Sequence, residues 1–162
     1  MMRYNVSALL KAPIGAQIAL TVEEGQCPLK GDLTVSFVRG TIKLTRTDRR
    51  IMAQGRIETE TAAECVRCLE PFNQPLRIRF EEMLTFFPTA PADKTYHIGE
   101  DGYFKLEPIV HEQVLLVTPL QTLCRPDCRG LCSQCGQNLN EGTCHCSASA
   151  DDPRLAALET LL

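Results

Sequence analysis

Leu33-Thr-Val35-Ser-Phe37-Val-Arg39-Gly40-Thr-Ile42-Lys-Leu44 opens the most regular stretch of this 162-residue chain. Leu33, Val35 and Phe37 alternate with Thr34, Ser36 and Val38, Arg39-Gly40 interrupts, and Ile42 and Leu44 resume. A period of two puts successive side chains on opposite faces of a pleated strand, so the expectation is a hairpin broken at Arg39-Gly40. Asp48-Arg49-Arg50 supplies the next turn, and Ile51 to Thr61 reads as a third strand with Gly55 as a bulge or bend. Leu76, Ile78 and Phe80 alternate with Arg77 and Arg79, a fourth strand with a basic outer face. The first half is therefore predominantly antiparallel sheet, a meander with one face covered.

On the N-terminal side, Arg3 to Leu10 and Ala16 to Val22 carry short apolar runs that read equally as strand or weak helix. On the C-terminal side, Phe87 to Pro91 reads as a loop, and Gly99 to Gly102 as a turn between Tyr96-His97-Ile98 and Tyr103-Phe104. Leu106, Ile109, Val110, Val114 and Val117 then recur at helical spacing, with Pro108 tolerated in the first turn and Thr118-Pro119 as the stop. This helix should pack on the sheet. Its His111-Glu112 pair lacks the second His of a metalloprotease helix, since position 115 is Leu. At the end, Asp151-Asp152-Pro153-Arg154 has the form of a helix start, and Leu155, Leu158, Leu161 and Leu162 make an apolar stripe that must dock on the body or on a partner. The fold class is α+β: antiparallel sheet packed by one or two helices over 1–120, a small Cys-rich module over 121–150 and a short helix over 151–162.

The chain is 44% hydrophobic, enough for one ordinary core with an appendage, and its formal net charge is −3. Trp is absent and aromatics are only 6%, so no broad base-stacking platform is advertised. Cysteine is the conspicuous excess, with nine residues. Cys132-Ser-Gln-Cys135-Gly136 is a knuckle whose glycine permits a tight turn, and Cys144-His-Cys146 places two thiols on one side of an extended segment. Together they make a four-thiolate set suited to a structural zinc ion. The alternative, a disulfide framework, belongs to secreted domains. The first 20 residues are broken by Lys11, Pro13 and Gly15 before any apolar run reaches signal-peptide length, and no later stretch could span a bilayer, so the expected setting is the cytoplasm.

A second Cys-x-x-Cys, Cys65-Val-Arg-Cys68, falls on a strand connection. With Cys124 and Cys128 it would complete a second zinc site; an idle pair or a redox dithiol is the competing reading. Cys27, alone beside Pro28, reads as a plain loop or buried thiol.

Taken in order, Arg39-Gly-Thr-Ile-Lys-Leu-Thr-Arg46, Gly55, Cys65-Val-Arg-Cys-Leu-Glu-Pro-Phe72, Glu112-Gln-Val-Leu-Leu116, Pro119-Leu-x-x-Leu-Cys124, Cys128-Arg-Gly-Leu-Cys-x-x-Cys-Gly136, Leu139-Asn140, Cys144-x-Cys146 and Asp152-Pro-Arg-Leu-Ala-Ala-Leu158 resemble the bacterial YceD family of large ribosomal RNA subunit accumulation proteins, over roughly residues 30 to 162. The resemblance implies a cytosolic bacterial protein that supports accumulation of large-subunit ribosomal RNA, in its processing or in ribosome assembly. Some members of the family lack the distal cysteines, which makes that tail an elaboration.

Charge patterning points independently to RNA. Arg39, Lys43, Arg46, Arg49, Arg50 and Arg56 lie close together against one acid, Asp48, on strands that should be adjacent, and Arg77 and Arg79 can extend the patch. Such a surface holds phosphates without reading bases; a solvated strand face is the bland alternative. There is no phosphate-cradling Gly-rich loop and no nucleophile–base constellation, so an enzyme is not expected, nor a small-molecule substrate or a membrane partner. The expected partner is ribosomal RNA or a pre-ribosomal particle. The alternative is a zinc-scaffolded module that binds a protein.

Overall fold

A computed structural model describes residues 2–85 and 96–146. Its elements are β1 (Arg3–Asn5), α1 (Ser7–Lys11), β2 (Gln17–Glu24), β3 (Cys27–Pro28), β4 (Thr34–Arg46), β5 (Arg50–Glu64), β6 (Pro71–Thr85), β7 (Tyr103–Lys105) and α2 (Glu107–Val117). The main sheet runs β2-β4-β5-β6, every pair antiparallel, with β3 adding to the end of β4; β1 and β7 form a separate two-stranded ribbon. This is the expected meander. The N-terminal ambiguity resolves both ways: Arg3 to Leu10 divides into a strand and a short helix, and Gln17–Glu24 is the edge strand of the sheet.

Two details depart from the sequence reading. No hairpin forms at Arg39-Gly40; β4 runs straight through it, pairing Arg39 with Glu58 and Gly40 with Ile57. Glycine is needed there because a Cβ would lie 2.0 Å from the Arg56 carbonyl oxygen, so the residue that interrupts the hydrophobic pattern instead lets two backbones approach. Gly55 is not a bulge either. Register is continuous through Gly55↔Phe80, and a Cβ at Gly55 would sit 2.2 Å from two atoms of the Phe80 ring, which lies over the bare backbone. The irregularity falls instead between Val35 and Val38.

Alternation decides which face is covered. Ile42 and Leu44 on β4, Ile51, Ala53 and Ile57 on β5, and Leu76, Ile78 and Leu84 on β6 are buried. They join one core with Val6 and Leu9 from the start and body of α1, Val6 being its N-cap, Phe104 from β7, Leu106 at the N-cap of α2, and Ile109, Val110 and Val114 from α2. The expected packing helix is thus present, and it lies against β6; Pro108 sits in its first turn, and the Thr118 amide and hydroxyl both donate to the Val114 carbonyl at its end. The Gly99–Gly102 turn also forms, with an Ile98↔Phe104 bridge, but Tyr103–Lys105 then pairs with β1 and so closes the ribbon over the core. The loop expected at Phe87 to Pro91 and the terminal helix expected over 151–162 lie outside the described residues.

Candidate metal centre and basic sheet face

The long β5–β6 hairpin carries its turn beyond the end of the main core, and that turn is Cys65-Val-Arg-Cys68. The Leu69 amide donates to the Cys65 carbonyl at 2.9 Å, and Leu69 takes a left-handed φ of 58°. The second knuckle repeats the device: the Gly136 amide donates to the Cys132 carbonyl at 2.9 Å with Gly136 at φ 73°. Glycine adopts that conformation without steric cost, whereas a leucine there costs about 1–2 kcal/mol. Something must hold the first knuckle closed.

The chain after α2 returns to this turn. The Val66 amide donates to the Thr122 carbonyl at 2.9 Å, the Thr122 hydroxyl to the Glu64 carbonyl at 2.6 Å, the Arg67 guanidinium to the Cys128 carbonyl at 2.9 Å and the Leu131 amide to the Arg67 carbonyl at 3.1 Å. Gly130, at φ 74°, allows the approach: a Cβ there would lie 3.0 Å from the Arg67 carbonyl oxygen. These contacts bring Cys124 and Cys128 to Cys65 and Cys68, with Phe72, Leu123 and Leu131 packed around them. Cys65, Cys68 and Cys128 are buried and Cys124 is half-buried.

Two sets of four thiols result: Cys65, Cys68, Cys124 and Cys128, and Cys132, Cys135, Cys144 and Cys146, the sulfurs of each set lying within 4.8 Å of one another. Within the first, Sγ of Cys65 and Cys128 are 3.8 Å apart and those of Cys68 and Cys124 are 3.7 Å apart. A tetrahedral ion with metal–sulfur distances of about 2.3 Å has sulfur–sulfur edges of about 3.8 Å, whereas a disulfide needs about 2.05 Å. Each set therefore fits one metal ion. The chain's last four cysteines enclose a more exposed set, with Cys135 and Cys146 on the surface.

The thiols are electrostatically uneven in the way that four crowded sulfurs must be. The Cys124 amide, aimed at Cys65, pulls that thiol down to about 6 against the opposing effect of burial. Burial and the neighbouring sulfurs push Cys124 up to about 12. Cys128 is held low despite burial, because the Asn140 side chain donates to its Sγ at 3.3 Å and the Gly130 amide adds a second donor. In the exposed set, the Cys135 and Gln134 amides bring Cys132 down to about 6, while the Cys135 sulfur is the chief influence that drives Cys146 up to about 12. Backbone amides thus stabilise some thiolates while mutual repulsion opposes the rest, and a divalent cation at the centre would remove that repulsion. Asn140 escaped the sequence reading as a functional residue. It lies in the loop of the second set but serves the first, and its Oδ1 accepts the Arg129 amide at 2.9 Å.

Cys27 belongs to neither set: it is half-buried in β3, its thiol donating to the Gly25 carbonyl at 3.1 Å, and burial pushes it up.

The six basic residues do not share one surface. Arg39 and Lys43 on β4, and Arg50 and Arg56 on β5, are exposed on the face opposite the core. Arg46 is a correction to the expected patch: it faces the core side, half-buried, and its guanidinium donates to the Leu9 carbonyl at the end of α1, 3.2 Å away. Arg49 stands in the β4–β5 turn beside Asp48 at 3.7 Å. Arg79, which the sequence offered only as an extension, is brought directly opposite Arg56. No helix among the described residues is long and apolar enough to cross a membrane.

An uncharacterized protein of Mycobacterium tuberculosis is 30% identical over 126 residues, covering 75% of this chain and 60% of its own length. The Bacillus subtilis protein YlbN is 34% identical over 108 residues, covering 65% of this chain and 63% of its own. A maize chloroplast protein named large ribosomal RNA subunit accumulation protein YCED homolog 1 is 23% identical over 137 residues, covering 65% of this chain and 47% of its own. The chain thus spans about 60% of the length of the mycobacterial relatives it matches. No solved structure matches. The family model described as large ribosomal RNA subunit accumulation protein YceD matches residues 53–162, from near the start of β5 through both cysteine sets, and the chain belongs to that family.

Proposed function

We propose that this protein is a non-enzymatic, cytoplasmic factor that supports accumulation of large-subunit ribosomal RNA by binding RNA or a pre-ribosomal particle through the open face of its sheet, with its cysteine module held by zinc. Family membership supplies the pathway. The observation that carries the mode of action is the exposed cationic sheet face, with Lys43, Arg50, Arg56 and Arg79, on a chain whose net charge is −3. Phosphate contacts of this kind bind backbone without reading bases. All-thiolate donors select a soft metal, and the single-ion spacing of each set favours zinc over an iron–sulfur cluster. Four protein ligands leave no position for a reacting water, so the metal serves to hold the chain.

The test is sedimentation of the tagged protein with pre-ribosomal particles, together with a mobility shift of labelled ribosomal RNA across a salt series. RNA binding that weakens steeply with salt is expected; no binding at low salt would refute it.

A second reading is a zinc-scaffolded protein-interaction module. It is favoured by the exposed apolar residues around the first knuckle and the end of α2: Val66, Leu69, Leu116 and Leu120, the last fully exposed. Co-purification of a protein partner that survives nuclease treatment would favour it.

A further inference from the structure

The exposed sheet face follows a rule in two rows and breaks it in the row between them. In one outer row, Glu23, Arg39, Glu58 and Arg77 alternate in sign across the four strands, with Arg39–Glu23 at 4.0 Å and Arg77–Glu58 at 3.6 Å. In the third row, Gln54 donates to Glu81 at 2.8 Å beside Lys43. Both follow the cross-strand preference for complementary neighbours. The middle row is Thr21, Thr41, Arg56 and Arg79, and there two guanidiniums stand directly opposite each other. Directly opposed like charges destabilise a sheet, and such local violations are expected where a site needs them.

The sheet is also concave at this level. An open trough of about 640 Å³ crosses it, flanked by Lys43, Arg56 and Arg79 and floored by the small side chains of Ala19 and Thr41, with Glu81 as its one carboxylate. Glu81 is engaged by Gln54.

We propose that this trough is the polyanion site: a nucleic-acid backbone crosses the strands with its phosphodiesters on Arg56, Arg79 and Lys43, while Arg39 and Arg77 are a neutralised border that takes no part. The inference rests on the RNA-binding reading above and narrows it to the middle row with Lys43 beside it. Guanidiniums present forked donors that suit phosphate oxygens, and a phosphate placed between Arg56 and Arg79 relieves their repulsion. Phe80, the aromatic residue in the trough's lining, is only 7% exposed, so bases are not stacked there and the site is indifferent to sequence.

Two double variants remove the same net charge from the same face and differ only in place. Arg56→Gln/Arg79→Gln and Arg39→Gln/Arg77→Gln are compared with wild type by fluorescence anisotropy, using labelled polyuridylate and oligodeoxythymidylate across a salt series. Thermal unfolding checks that both fold. The trough variant should bind both probes at least about tenfold more weakly and lose about 1.4 from the slope of log K against log salt, the share of two phosphates on a single strand. The border variant should keep the wild-type slope, and Arg56→Lys/Arg79→Lys should retain most binding. Equal losses in both doubles, or a loss that instead follows Arg125→Gln/Arg129→Gln, which removes the two arginines next to Cys124 and Cys128, would overturn the trough while leaving RNA binding intact. Wild-type protein without salt-dependent binding to either probe would overturn the RNA-binding reading and the trough together. A trough variant that binds both probes like wild type but no longer captures an acidic protein would make the face a protein-docking site, and the proposal false.

Discussion

Replacing Cys65 with Ser should do more than remove a ligand, because the first cysteine set ties the β5–β6 turn to the chain beyond α2. Cys65 and Cys128 are 63 residues apart in sequence, and Cys68 and Cys124 are 56 apart. A cross-link closing a loop of that size restricts the unfolded chain by about 4 kcal/mol on the loop-closure relation, whether sulfur or a metal ion forms the link. At about 2–4 °C per kcal/mol for a chain of this size, Cys65→Ser should lower the melting midpoint of the sheet by about 8–16 °C and lose one zinc per chain. Cys132→Ser should also lose one zinc, but its set closes only a local loop, so the sheet should melt close to wild type while the tail beyond Leu131 becomes protease-sensitive. Elemental analysis, circular dichroism melting and limited proteolysis read the three quantities. A Cys65→Ser protein that keeps two zinc ions, or melts within about 2 °C of wild type, would refute the cross-link.

Asn140→Ala removes the amide that donates to Cys128 Sγ, and should weaken metal at the first set by about tenfold or more in competition with a chromophoric chelator, although Asn140 ligates nothing. Gly55→Ala drives a methyl to 2.2 Å from the Phe80 ring; urea unfolding should show a loss of about 1–3 kcal/mol that shrinks in a Phe80→Leu background. Burial first, and then the Glu112 carboxylate, hold Glu82 above its ordinary value. A raised carboxyl stabilises the fold below the unfolded carboxylate range and loses that contribution as pH rises through the folded value. Glu82→Gln should therefore melt higher than wild type near neutral pH, with the difference vanishing as pH falls below the usual carboxylate range.

The antiparallel sheet, its covered face and the packing helix were legible because burial imposes a period on the sequence: two for Leu76-x-Ile78-x-Phe80, helical for Ile109, Val110 and Val114. The eight metal-ligand candidates were legible because two knuckles can be counted, and the arithmetic of pairing Cys65 and Cys68 with Cys124 and Cys128 could be written down in advance. Their meeting could not, since it depends on backbone hydrogen bonds from Val66 to Thr122 and from Leu131 to Arg67 that carry no side-chain pattern. Gly40 and Gly55 were misread for a related reason: a glycine required by a close approach across the sheet looks, along the chain, the same as one that bends a strand. The basic run was visible as composition, but only register separates its members. Arg46 turns to α1, Arg39 meets Glu23, and Arg56 meets Arg79 from a strand more than twenty residues away. Periodicity is local and survives in one dimension; which charges are neutralised is a property of neighbours across strands, and tertiary structure alone assigns them.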